Sequence, residues 1–180
     1  GIYNRLCALD WDRPVGQTGN PSGVALFRQE ALASVDGFNP SVIAAEDDEI
    51  CARIRIAGWE VWRIADEMAV HFAGIASFTQ WWSRSVRTGH SCAELVDMHG
   101  AGPMAHWRRP LFSTVAWAVL PVPIILLACF CSPLLFGLLL VYPVHALVIG
   151  TRRMMQGGAT ALDSVAFGAF IVLGRWPSLL

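Results

Sequence analysis

Residues 110–151 form a run of 42 positions without one Asp, Glu, Lys or Arg, and His145 is its one side chain that titrates near neutrality. No face of such a segment suits water. A bilayer core is crossed by about 20 apolar residues, so the run is long enough to cross twice. Ser132-Pro133 supplies the break, because proline ends or kinks a helix and biases its predecessor away from helical angles. The pattern predicts a helix at 111–131 and a return helix at 134–150. Arg108, Arg109, Arg152 and Arg153 bracket the run. A hairpin puts both pairs on one side of the membrane, which the excess of arginine marks as cytoplasmic. Trp107 and Tyr142 suit interfacial anchors. Pro121, Pro123 and Pro143 fall inside the spans, where neighbours must satisfy the carbonyls they free. The alternative is a hairpin buried in a large soluble protein. Residues 154–160 read as a loop. Residues 161–176 are apolar but interrupted by Asp163, Arg175 and Trp176, which leaves an interfacial helix and the start of a third span both open.

Composition agrees with two solvents. Apolar residues make up 54% of the chain and charged residues 15%, against about 25% charged in ordinary globular domains. The net charge of −1 conceals a split: residues 1–107 carry 13 acids and 8 arginines, and residues 108–180 carry 1 acid and 5 arginines. The chain is too apolar for intrinsic disorder. Its basic excess is too small, and too close to apolar sequence, for nucleic acid. The five cysteines include no C-x-x-C pair and are odd in number, so nothing calls for an oxidising compartment. The chain starts at Gly1 and stops within apolar sequence at Leu179-Leu180, and it reads as a piece cut at both ends. Three parts are expected: a polar, site-bearing part at 1–107, a two-helix transmembrane hairpin at 108–153, and a membrane-associated tail at 154–180.

In the polar part, residues 14–24 are rich in turn formers. Val24-Ala-Leu-Phe27 reads as a short buried strand, residues 29–35 as a helical turn or two, and Asp36-Gly37-Phe38-Asn39-Pro40 as a turn. From Glu46 to Gly58, acids lead and arginines follow, which suits a helix dipole. Glu49 and Arg53 are an i,i+4 pair in the favourable order, Ile50, Ile54 and Ala57 form an apolar stripe, and Gly58 suits the position after the C-cap. Glu60–Ile64 alternates like a strand, and Met68–Val70 reads as another. Alternating strands and helices predict an α/β arrangement.

Glu46-Asp47-x-Glu49-Ile50-x-x-Arg53-Ile54-x-x-Ala57-Gly58 resembles the E-D-x-E-L-x-x-R-L-x-x-x-G stretch of family 2 glycosyltransferases. Gly23-Val-Ala-Leu-Phe-Arg28 and Ala31-Leu-Ala-Ser-Val-Asp-Gly-Phe38 resemble the block just upstream. Ser77-Phe-Thr-Gln-Trp-Trp-Ser-Arg84 and Arg87-Thr-Gly89 resemble the aromatic, arginine-rich helix that follows, and membrane-bound members carry a hairpin afterwards. The likeness covers residues 19–107 in order and the tail more loosely.

The resemblance implies the C-terminal, acceptor-side half of a GT-A nucleotide-diphospho-sugar transferase fold, followed by a transmembrane hairpin. It implies an inverting glycosyltransferase that moves a sugar from a nucleotide-diphosphate donor to a glycan or lipid-linked acceptor at the bilayer, in envelope or exopolysaccharide synthesis. Such an enzyme is expected in the inner (plasma) membrane, multi-pass, with its catalytic part cytoplasmic. Asp47 maps to the base that takes the acceptor proton, and Glu46 to a residue orienting the acceptor or loop. A divalent metal, Mg²⁺ or Mn²⁺, would offset charge on the leaving diphosphate, with its main aspartates expected upstream of this chain. Asp10-Trp11-Asp12 spells D-x-D, but only 35 residues before Asp47 and without preceding strands, and is read as coincidence. His71 is a metal ligand or donor contact, or simply a satisfied histidine at a strand end. His90, His99 and His106 lack metal-ligand spacing.

Trp81 and Trp82 suit stacking on an acceptor, and Arg84 and Arg87 suit a diphosphate. The same residues also suit an amphipathic helix lying on the membrane. The family's processive Q-x-x-R-W is not matched by Gln80-Trp-Trp-Ser-Arg84. Without a donor half, the chain alone is expected to be inactive. The competing reading is a non-catalytic, membrane-anchored binding or scaffold domain.

Overall fold

The computed structural model describes residues 1–19, 24–66, 68–70, 72–99 and 107–180. It overturns the expected α/β, GT-A-type fold: the chain is mostly helical (66%), and its described strands make one two-stranded sheet. Strand β1 (Gly16–Gln17) pairs antiparallel with β2 (Trp62–Arg63), with Gly16 opposite Arg63. β2 lies in the segment read as a strand, whereas its partner lies in the segment read as a loop. Residues 24–28 and 68–70 join no ladder among the described residues. The physical reason is a missing neighbour. Leu26 is 87% and Val70 88% exposed, and an apolar strand without a second strand or a covering helix gains too little burial to hold.

The helices follow their sequence signals more closely. α1 spans Ile2–Trp11, α2 Gln29–Ala33 and α3 Glu46–Ile56. All four acids of 46–49 fall in the first turn of α3, with Arg53 and Arg55 in its last. Gly58, at φ +91°, closes the helix: its N–H donates to Arg55, and the Trp59 N–H donates to Ile54. That pair of bonds defines a Schellman end. α3 buries Ile50, Cys51 and Ile54 against Ala31 of α2, and Ala52 against Leu95 and Trp107.

α4 runs over Phe78–His99. A capping box opens it: the Gln80 N–H donates to Ser77 Oγ and the Ser77 N–H to Gln80 Oε1, each at 3.3 Å. Gln80, compared above with the family's processive motif, therefore satisfies the helix start.

Two helices, Arg108–Phe130 and Pro133–Met155, are long and apolar enough to cross a membrane. Little of either is covered by the chain; Phe130 is 84% and Leu134 89% exposed. Ser132 breaks them in an extended conformation (φ −162°, ψ 126°), at the predicted Ser-Pro step. The first leg comprises α5 (Arg108–Val119) and α6 (Pro121–Phe130), and the second a 3₁₀ stretch (Pro133–Leu140) followed by α7 (Val141–Met155). Pro121 has no N–H for the Trp117 carbonyl four residues back. The Tyr142 hydroxyl donates to that carbonyl instead, at 2.7 Å. Pro143 sits in the first turn of α7, directly after the 3₁₀ stretch.

α8 (Ala161–Leu173) is capped by Thr160, whose hydroxyl accepts from the Asp163 N–H at 3.1 Å. Its 13 residues rise about 20 Å, short of a core about 30 Å thick. The tail instead folds back antiparallel on α7. A Cβ at Gly150 would lie 2.6 Å from the Ser164 carbonyl oxygen, and one at Gly168 would lie 2.0 Å from that of Ala146. α8 also touches α1, through Arg5–Asp163 at 2.9 Å and the Tyr3 and Phe170 rings at 5.7 Å. A last 3₁₀ turn, Pro177–Leu179, rests on α4, where the Ser178 hydroxyl donates to the Ser85 carbonyl at 3.0 Å.

Tyr142→Phe keeps the ring packing and strands the Trp117 carbonyl. Its expected cost is about 1 kcal/mol, the usual scale of an interhelical hydrogen bond in lipid. Unfolding of the protein in bilayer mimics against the wild type measures it.

Candidate functional site

The acidic turn divides its labour. Glu49 is buried, at 1% exposure. It accepts from Arg53 Nε and Nη2 at 2.8 and 2.7 Å, a bidentate fork. His99 Nε2, at the end of α4, lies 2.9 Å from Oε1, the oxygen that also accepts from Arg53 Nε. The same guanidinium reaches back to the turn after α2, donating to the Val35 and Gly37 carbonyls. Those carbonyls flank a turn in which Asp36 and Gly37 both have positive φ. One carboxylate thus ties α3 to the 34–37 turn and to α4. Glu46 and Asp47 make no hydrogen bond or ion pair among the described residues; Glu46 is exposed and Asp47 half-buried. Immediately before them, Ala45 sits at φ +60°, a left-handed conformation that costs a non-glycine residue about 1–2 kcal/mol. The Ile43 N–H donates to Glu94 of α4 at 3.3 Å, which helps hold this approach.

The thiol of Cys51, one turn along α3, registers that charge. Burial, then the carboxylates of Asp47 and Asp48, push it up to about 11, while Arg55 pulls the other way.

The other predicted residues lie elsewhere. Glu94, Leu95, Val96 and His99 of α4 face the α3 region. Arg84 and Arg87 are two to three turns earlier, about 12–17 Å back along the axis. Trp81 is buried with its edge against Phe170 of α8, ring centroids 4.9 Å apart, and Trp82 packs beside it and Phe78. Arg84 lies over the Trp11 ring at 5.5 Å, and Arg87 is exposed. The tryptophan–arginine group is therefore not brought to Asp47. It lies where α4 meets α1, α5 and α8.

A cleft of about 340 Å³ opens there. Leu6, Trp81, Leu111, Phe167, Phe170 and Ile171 give it apolar walls, and Arg84 and Arg175 supply its cations. Arg175 donates to Thr114 Oγ1 at 2.9 Å. Two thiols line it as well: burial pushes Cys92 up, and pushes Cys7 up despite the opposing pull of Arg84. The sequence signal for Arg175 was its place in an apolar tail, since a charge there needs a partner. Thr114, 61 positions away, has no such signal.

The described residues do not fit a metal. No three His, Cys, Asp or Glu side chains converge among them. Asp12 is paired with Arg153, and Asp10 lies 3.6 Å from Arg13. His71 lies outside the described residues. No family model, curated protein or solved structure matches this chain.

Glu49→Ala leaves Arg53 and His99 facing a vacated partner and should cost about 3–5 kcal/mol, whereas Glu46→Ala should stay within about 0.5 kcal/mol. Chemical denaturation of the two variants separates them. A second expectation concerns pH. An unfolded thiol titrates near pH 9 and the folded Cys51 near 11. The folded state therefore holds its proton longer, and stability falls as pH rises from 9 towards 11. Asp47→Asn should lower the Cys51 midpoint, which the Cβ chemical shift of labelled cysteine reports.

Proposed function

We propose that this chain is part of a membrane-anchored sugar-transfer enzyme, with Asp47 as the base that takes the acceptor's hydroxyl proton and Glu46 as the group that orients the acceptor. One observation carries this reading: of the acids in the α3 first turn, Glu49 is consumed in holding the fold, while Glu46 and Asp47 have no hydrogen bond or ion pair among the described residues. The strained Ala45 directly before them adds support, since such residues gather at functional sites. The ordered likeness of residues 19–107 to family 2 glycosyltransferases names the reaction. A base at the head of a helix has a stabilised anion and a fixed direction. It needs only to sit within hydrogen-bond reach of the attacking hydroxyl.

The donor is a nucleotide-diphosphate sugar, and a divalent ion would offset charge on its leaving group. No step is assigned to that ion through residues of this chain. The acceptor is a glycan or a lipid-linked sugar near the bilayer, because the acidic turn is joined through α4 to the hairpin. Arg108, Arg109 and Arg152 are exposed at the ends of the two spans. With them facing the cytoplasm, the acidic turn acts on the cytoplasmic side of the inner membrane.

The test uses membranes carrying the protein as its gene encodes it, supplied with radiolabelled nucleotide sugars. Asp47→Asn should reduce transfer by about 10²–10⁴-fold, the usual contribution of a general base, with unfolding unchanged. Unchanged transfer in Asp47→Asn removes the base. Absence of transfer from every donor by the wild type supports the non-catalytic scaffold.

A further inference from the structure

We infer that the cleft between α1, α4, α5 and α8 is a binding site for a phosphate-headed lipid. The inference is independent of the sugar-transfer reading, because Asp47 and Glu46 are not part of this cleft.

Its chemistry is that of an amphiphile. The two guanidiniums reach the cleft from different elements, Arg84 from α4 and Arg175 from the segment after α8. Neither has a carboxylate within ion-pairing distance among the described residues. Each is held by something that leaves its charge uncompensated: Arg84 by the face of Trp11 at 5.5 Å, and Arg175 by the neutral hydroxyl of Thr114 at 2.9 Å. The single acid on the walls, Asp10, has Arg13 at 3.6 Å to offset it. Such planar forks are matched by phosphate oxygens, which accept two parallel N–H bonds from one arginine. Ser85 and Thr88 also line the cleft, but their hydroxyls donate to the Trp81 and Arg84 carbonyls, so the arginines carry the headgroup recognition.

Most of the remaining lining is apolar, which a free phosphate would not require. Leu6, Phe167, Phe170 and Ile171 are suited to methylenes. The location agrees. Pro110, Leu111 and Thr114 form one wall and belong to the first two turns of the first membrane-crossing helix, just past Arg108 and Arg109. A headgroup between the arginines thus lies where polar and hydrocarbon layers meet, with its tail directed along apolar side chains. A volume of about 340 Å³ lies at the lower end of ligand pockets, enough for a headgroup and the start of one chain.

Native mass spectrometry of the purified protein, titrated with phosphatidylglycerol, phosphatidylcholine, a long-chain prenyl phosphate and inorganic phosphate, tests the site. Retention of phosphatidylglycerol or prenyl phosphate, with a raised unfolding temperature, is expected; which of the two binds more tightly separates bulk lipid from a lipid carrier. Arg84→Gln and Arg175→Gln should each weaken retention about tenfold, the effect of losing one charge-assisted hydrogen bond. Arg109→Gln, outside the cleft lining, should leave it unchanged. Should Arg175→Gln fail to fold, Arg84→Gln carries the test, because it removes no hydrogen bond within the protein. Equal loss in Arg109→Gln would reduce the effect to surface charge and overturn the site. So would unchanged retention in Arg84→Gln, or protection by inorganic phosphate equal to that by lipid.

Discussion

Backbone meets backbone at Gly89, Gly150 and Gly168, and the placement of the polar part on the hairpin rests on those contacts. A Cβ at any of the three would fall 2.0–2.6 Å from a carbonyl oxygen of the facing segment, well inside van der Waals contact. Close approach of this kind is how helices associate where lipid removes the hydrophobic drive between them. Gly150 and Gly168 seat α8 on α7, and Gly89 seats the Ser178 turn on α4. Without them α8 would stand off the hairpin. Arg5–Asp163, which ties α1 to α8, would then have nothing to close on, and Asp12–Arg153 would be left to tie the end of α1 to α7. The cleft lies beside these contacts, where Phe170 of α8 packs against Tyr3 of α1 and Trp81 of α4.

In the polar part, one buried carboxylate does the corresponding task. Glu49 with Arg53 and His99 ties three separate pieces of chain. A buried charge is held only when it is paired and hydrogen-bonded, and the Arg53 fork with His99 supplies both carboxylate oxygens with partners. The consequence for Glu46 and Asp47 follows from geometry. With the helix pinned one turn later, their backbone is fixed while their side chains need contribute nothing to the fold.

Much of this was legible. The ends of α3 were marked by acids, then arginines, then Gly58, because capping and dipole effects are local. The break at Ser132-Pro133 was legible for the same reason, since proline acts on its immediate neighbours. The strands were legible only in part: alternation over Glu60–Ile64 marks β2, but its partner lies in a segment read as a loop. The apolar runs at 24–27 and 68–70 say which side chains are apolar but nothing about whether a neighbouring strand exists to complete the ladder. Gln80 illustrates a motif competing with a local role. Ser77-x-x-Gln80 is a capping box by spacing alone, and that spacing determines its bonds. The long-range partners, Glu49 with His99 and Arg175 with Thr114, are set by tertiary packing and leave no periodic trace.

α4 joins the two sites mechanically. Its 22 residues span about 33 Å, with the lipid-facing cleft near its first half and the Glu49–His99 contact at its last residue. An intact helix transmits displacement along its axis with little loss, so the place at which Gly89 and Trp81 are held by the tail sets the position of the acidic turn relative to the hairpin. A lipid that spreads or tightens the cleft would shift α4 against α8. The rigid connection would carry that shift to the acidic turn without any change in the turn's own bonds. On the proposed sugar-transfer reading, an acceptor anchored in the membrane would then meet Glu46 and Asp47 at a height fixed by protein–lipid packing, so the length of the acceptor's headgroup, more than contacts at the turn, would decide which acceptors can reach.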